Sequence, residues 1–223
     1  DVEGETLVLV DDRSEEGAAE RNPLVINFNT ASAEDRNMGD FKEIDLSASK
    51  SPANIIGSAH NFEYIKGSNY GGVLTAGNLG TSLEGGDGDD KLYGSSNRDY
   101  FIKSSGADTV KGYTSQVDFV KILNYSLSSL NFVRTYANDN AAEETSEIEQ
   151  GIMFGNTVYY EYDSENNVAT FSFDGGESIT LEDISGLSIS FTDEDGELKA
   201  ISLPIGDYSD EDSDATSDTE IDY

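Results

Sequence analysis

The sequence predicts an all-β fold: a parallel solenoid with nine residues per half-coil, flanked by short β-strands and closed at one end by an antiparallel β cap. Three observations predict it. Apolar residues fall at Ile56, Ile65, Leu74, Leu83, Leu92, Phe101, Val110 and Phe119, eight positions spaced nine apart. Neither a helix nor an ordinary strand repeats at nine, whereas a solenoid with two half-coils per turn does. On both sides of this ladder, short apolar runs alternate with charged or Gly-rich turns, as strands do, and helix signals are scarce throughout.

Along the chain, residues 1–46 hold the apolar runs Leu7–Val10, Leu24–Phe28 and Phe41–Leu46, read as an N-terminal β segment. Residues 47–122 carry the nine-residue ladder. Residues 123–205 read as an antiparallel β unit, with strand-like segments at Asn131–Tyr136, Ile152–Tyr162, Val168–Phe173, Ser178–Leu181 and Leu187–Thr192. Hairpin signals separate them: DSENN at 163–167, DGG at 174–176 and DEDG at 193–196. Residues 206–223 contain eight acidic residues and no Lys or Arg, the composition of a solvated, disordered tail.

Charge narrows the function. With 45 Asp and Glu against 13 Lys and Arg, the formal net charge is −32. A nucleic-acid binder needs a positive field to meet phosphates, so nucleic acid is excluded as an obvious partner. An anionic membrane surface is disfavoured for the same reason. The hydrophobic content of 36% is too high for wholesale disorder, so the acidity points to a chain that meets cations. Absence of Cys removes disulfides and thiolate metal sites. No run approaches the length of a membrane span, and the first residues lack the basic and apolar regions of a signal peptide. The chain starts without Met, which suggests processing or a piece of a longer protein.

Set in phase with the apolar rung at position eight, residues 85–93 read GGDGDDKLY, 94–102 read GSSNRDYFI and 103–111 read KSSGADTVK. The first matches G-G-x-G-x-D-x-U-x at every fixed position, and the others are degenerate copies in the same phase. These residues resemble the repeats-in-toxin (RTX) family of hemolysin-type calcium-binding proteins.

That resemblance implies a parallel β-roll. Positions one to six would form a turn needing φ > 0, supplied by Gly. Its carbonyl oxygens and the position-six carboxylate would offer hard ligands to Ca²⁺. Turns two repeats apart would stack, placing Asp90 over Asp108 on one edge and Asp99 on the other. Two bare carboxylates about 5 Å apart repel by about 3 kcal/mol at an effective dielectric near 20, which a cation reverses. The expected metal ligands are Asp90 and Asp108 with the turns Gly85, Gly86, Asp87, Gly88 and Lys103, Ser105, Gly106; Asn97 and Asp99 belong to a weaker second site. Elsewhere position six is Asn54, Glu63, Gly72, Thr81 and Val117, so the other coils are expected to be metal-free.

The resemblance further implies a protein secreted by a Gram-negative-type bacterium, exported unfolded by type I secretion machinery and folded by calcium ions outside the cell. The closing residues DTEIDY are compatible with an uncleaved export signal. The alternative is an adhesin or surface-layer module whose 123–205 unit meets a glycan or cell-surface partner through exposed Tyr159, Tyr160 and Tyr162, at least one of which strand alternation would bury. A polysaccharide-acting enzyme ranks third. There is no H-E-x-x-H, G-x-S-x-G or phosphate loop, and His60, the single histidine, reads as a turn residue, so no enzyme is expected.

Overall fold

The computed structural model describes residues 6–8, 17, 22–27, 42–56, 62–123, 131–133, 147–153, 156–163, 166–173, 175–184, 188–192 and 195–202. The described residues are all-β, without a helix, and form two open sheets.

The first sheet runs β1 (Thr6–Val8), β3 (Glu43–Asp45), β5 (Tyr64–Lys66), β7 (Ser82–Glu84), β9 (Tyr100–Ile102), β11 (Phe119–Lys121), β17 (Ser188–Thr192) and β18 (Leu198–Ser202). The second begins at β2 (Leu24–Asn27) and continues through β4 (Ala53–Ile56), β6 (Gly72–Thr75), β8 (Asp90–Tyr93), β10 (Ala107–Lys111) and β16 (Ser178–Glu182). It ends with β15 (Val168–Ser172), β14 (Asn156–Asp163), β13 (Glu147–Met153) and β12 (Asn131–Val133).

From β1 to β11 the chain alternates sheets at every strand, and neighbours within each sheet are parallel. The N-terminal strands belong to these same sheets: Leu7 registers with Ile44, and Ile44 with Ile65. The C-terminal strands join them too. β16 adds in parallel to β10 and β17 to β11, and the remaining pairings are antiparallel.

Between the sheets lies one apolar core. Ile65, Leu74, Leu83, Leu92, Phe101 and Val110 are all essentially buried, each from a three-to-five-residue strand. Each such side chain is worth about 1.5–3 kcal/mol of burial. Phe171 of β15 meets Phe191 of β17 edge to face at 5.0 Å, so the core continues into the C-terminal strands.

The nine-residue ladder is correct over these six rungs and slips by one residue at each end. Ile56 is exposed and Ile55 takes the core; Phe119 is half-buried and Val120 takes it. The steps Ile55 to Ile65 and Val110 to Val120 are therefore ten residues. In the second, the turn holds Gln116 at φ 65°, a left-handed residue that absorbs the extra length. Ile55, at position seven by strict counting, is thus itself a rung. The 206–223 tail and His60 lie outside the described residues, as do Asp193 and Glu194 of the 193–196 turn.

Candidate metal centre

The turns fall on two edges. On one, turns 67–72, 85–90 and 103–108 stack and lead into β6, β8 and β10, with the C-terminal turn 173–178 following them into β16. On the other, turns 76–81, 94–99 and 113–118 lead into β7, β9 and β11. Strand register sets one residue of each turn above the next: Gly72, Asp90, Asp108 and Ile179 on the first edge, and Glu63, Thr81, Asp99, Asp118 and Ile189 on the second.

The four aspartates in these rows are all buried. Asp118 was not expected among them, because the strict spacing of nine had assigned Val117 to this slot and left Asp99 facing it. The ten-residue step corrects both points. A shorter signal identifies the residue: Asp-x-apolar recurs as Asp90-Lys91-Leu92, Asp99-Tyr100-Phe101, Asp108-Thr109-Val110 and Asp118-Phe119-Val120. Likewise Ala53, not Asn54, precedes the Ile55 rung by two residues.

Surroundings differ between the edges. Asp99 accepts the Thr81 N–H at 2.8 Å on Oδ1 and the Ser95 N–H at 2.6 Å on Oδ2. Asp118 repeats the pattern with the Asp99 N–H at 2.8 Å and the Thr114 N–H at 2.7 Å. Thr81 does the same without charge, its hydroxyl accepting the Gly77 N–H at 2.8 Å and donating to the Phe62 carbonyl at 2.9 Å. Each side chain thus ties its own turn to the turn above. Burial pushes the Asp118 carboxyl up to about 6 and raises Asp99, while these amides oppose the shift.

On the first edge Asp108 accepts the Asp90 N–H at 3.1 Å and the Ser104 hydroxyl at 2.6 Å. Asp90 has nothing comparable: both of its oxygens are buried and neither reaches a hydrogen-bond partner. Burial, then the negative charges of Asp108 and Asp89, push its carboxyl up to about 8; the Gly72 amide in the turn above faces it without reaching hydrogen-bond geometry and offsets this only in part. Asp108 itself is pushed up to about 6, by burial first. Asp89 is engaged elsewhere, accepting the Ala107 N–H at 2.8 Å.

Glycine makes the bare carboxylate possible. A Cβ on Gly85 would lie 2.5 Å from Asp90 Oδ2, and Gly86 sits at φ 118°, where a Cβ would also meet the Ser68 carbonyl at 2.3 Å. Beside these turns opens a groove of about 360 Å³ whose lining includes Gly86, Asp87, Lys103, Ser105 and Glu177.

The expected ligands are therefore distributed as follows. Gly85, Gly86, Asp87, Gly88, Asp90, Lys103, Ser105, Gly106 and Asp108 lie on the first edge, and Asn97 and Asp99 on the second. The Gly106 carbonyl already accepts the Ser178 N–H at 2.9 Å, and the Asn97 side chain donates to the Asn78 carbonyl at 2.5 Å. Among the described residues no three acidic or His side chains gather as a metal cluster. A cation at Asp90 and Asp108 would draw its other ligands from backbone carbonyls, a donor set suited to a hard ion. The orphaned Asp90 carboxylate fits that role.

Tyr162, expected to be exposed, is half-buried and packs against the core; the side chains of Tyr159 and Tyr160 lie outside the described residues. No helix of the described residues is long and apolar enough to cross a membrane. No protein-family model matches the chain, and no curated protein or solved structure matches it.

Proposed function

We propose that this chain is a calcium-binding β-roll module of an RTX-type secreted bacterial protein, exported unfolded by a type I system and folded by Ca²⁺ outside the cell. The observation that carries this reading is the buried Asp90 carboxylate, stacked on Asp108 with neither of its own oxygens hydrogen-bonded. Burying an unpaired charge costs several kcal/mol unless it is protonated or compensated by a cation. Glycine at position 85 lets the GGDGDDKLY turn pack closely on it, and the sheet alternation from β1 to β11 supports the roll.

In this reading the ion is held by the Asp90 and Asp108 carboxylates with carbonyls of 85–88 and 103–106. Its bound charge offsets the repulsion between the two acids. Metal binding is then linked to folding, and calcium stabilises the folded form of residues 85–111 over the metal-free one. The chain serves as a binding and folding module, not as an enzyme.

Calcium titration of the full chain, followed by circular dichroism and calorimetry, tests this. The expected result is a calcium-dependent gain of β signal with saturable binding that Asp90→Ala and Asp108→Ala weaken. An unchanged spectrum and no heat of binding would refute it.

A further inference from the structure

Position one of the stacked turns is small in 67–75, 76–84, 85–93 and 94–102, where it is Gly67, Ala76, Gly85 and Gly94. At 103–111 it is Lys103. Its side chain does not reach into solvent: only 11% of it is exposed. The ammonium pairs with Glu177 and stands 4.9 Å from the centre of the Phe173 ring.

Both partners come from the turn that leads into β16. That turn is closed by the Phe173 N–H to the Glu177 carbonyl at 2.9 Å, and it joins turn 103–108 through Ser178 and Gly106. It continues the stack, yet brings no aspartate into the row, because Ile179 takes that slot. Among the described residues, Asp108 of the same turn and Glu177 of the C-terminal turn bring acids to this level. Lys103 acts on both, since its positive charge also draws the Asp108 carboxyl downward.

We propose that the Lys103 ammonium is a resident counter-cation, standing where a metal ion would otherwise bridge turns 103–108 and 173–178. The inference rests on the calcium reading only for the ion it displaces. A fixed ammonium costs no metal, joins the C-terminal turn to turn 103–108 without an ion of its own, and repels a second cation from the same level. Lys103 thereby ends the row of ion sites at Asp90 and Asp108.

The test compares wild type, K103M, K103R and E177Q as full chains, with melting temperature measured in chelator and in millimolar calcium chloride. In chelator K103M should melt about 2–4 °C below wild type, as expected for the partly buried Glu177 carboxylate left without its partner. Calcium should restore it, with one more ion bound per chain than in wild type by equilibrium dialysis. K103R should behave as wild type. E177Q keeps the ammonium, so it should gain neither calcium-dependent recovery nor an extra ion.

An ordinary ion pair predicts something else: K103M and E177Q would lose stability alike and calcium would rescue neither, which would overturn the proposal. So would a K103M melting temperature equal to wild type in chelator. If K103M does not fold in chelator, its folding on calcium addition is the same positive readout, and failure in both conditions counts against the proposal. Should wild type ignore calcium while K103M is rescued by it, the reading under Proposed function fails and this one stands.

Discussion

The two edges of the molecule carry the same residue in the same slot and treat it in opposite ways. On the edge of Asp99 and Asp118, each carboxylate oxygen receives a backbone amide, one from its own turn and one from the turn above. On the edge of Asp90 and Asp108, the lower acid is satisfied and the upper one is bare. A buried aspartate is therefore not by itself a metal ligand here. Where the amides reach it, it is a staple between turns; at Asp90, packed closely on Gly85, the oxygens are left bare. Thr81, an uncharged staple in the same row, makes the first role plain.

The sharpest way to break this comparison is at Asp90. Asp90→Asn should weaken calcium binding by about tenfold or more, since a hard cation loses one of two carboxylates. In chelator above about pH 8, where the folded carboxyl is ionised, the same change should raise the melting temperature by relieving a buried unpaired charge. Asp99→Asn should do neither. Equal responses at the two positions would erase the distinction between the edges.

Asp118→Ala comes next. It leaves the Asp99 and Thr114 amides without acceptors and should cost about 2–3 kcal/mol in urea unfolding. The loss should be the same with chelator or calcium. A calcium-dependent loss would place an ion on this edge as well.

Acidity sets Asp90 apart from Asp108 and Asp118 by range. The folded carboxyls of Asp90, Asp108 and Asp118 lie above their ordinary value, so between that value and the folded one the native chain holds protons that the unfolded chain has released. Their contribution to stability is therefore present at low pH and lost as pH rises, through about 6 for Asp108 and Asp118 and about 8 for Asp90. In chelator, melting temperature should fall from pH 6 to pH 8 in wild type, and Asp90→Asn should flatten that upper limb. Saturating calcium should flatten it too.

The smallest expected effect is at Thr81. Thr81→Val removes an acceptor and a donor from a buried turn and should cost about 1–2 kcal/mol, insensitive to calcium. A loss confined to calcium-free conditions would contradict its role as a staple.

The middle of this pattern was legible in the sequence because nine-residue steps need only small residues in the turns and one apolar residue facing inward. Six consecutive rungs, Ile65 to Val110, obey it. At both ends a turn gains one residue, and strict counting then names the wrong neighbour: Ile56 for Ile55, Phe119 for Val120, Val117 for Asp118. The pair Asp-x-apolar survives the insertion, since it belongs to the strand and not to the turn. Asp90 and Asp108 could be placed on one edge from spacing alone. That Asp99 and Asp118 are capped by amides and Asp90 is not could not be read, because it depends on small shifts of each turn. The pairing of Lys103 with Glu177, 74 residues away, has no periodic signal at all.

The join between Tyr113 and β17 bears on the order in which the chain assembles. The Tyr113 hydroxyl donates to the Asp118 carbonyl at 3.1 Å and accepts the Ser190 N–H at 2.9 Å, closing a span of 77 residues. Successive laps of the stack close spans of only 18, as between Asp90 and Asp108. Loop-closure entropy grows with the logarithm of length, so the longer closure costs about 1.3 kcal/mol more. The laps between β4 and β11 should therefore wind first, each using the last as a template. β16 and β17 should dock late and be the first to peel away, exposing the end of the core while the aspartate rows remain wound.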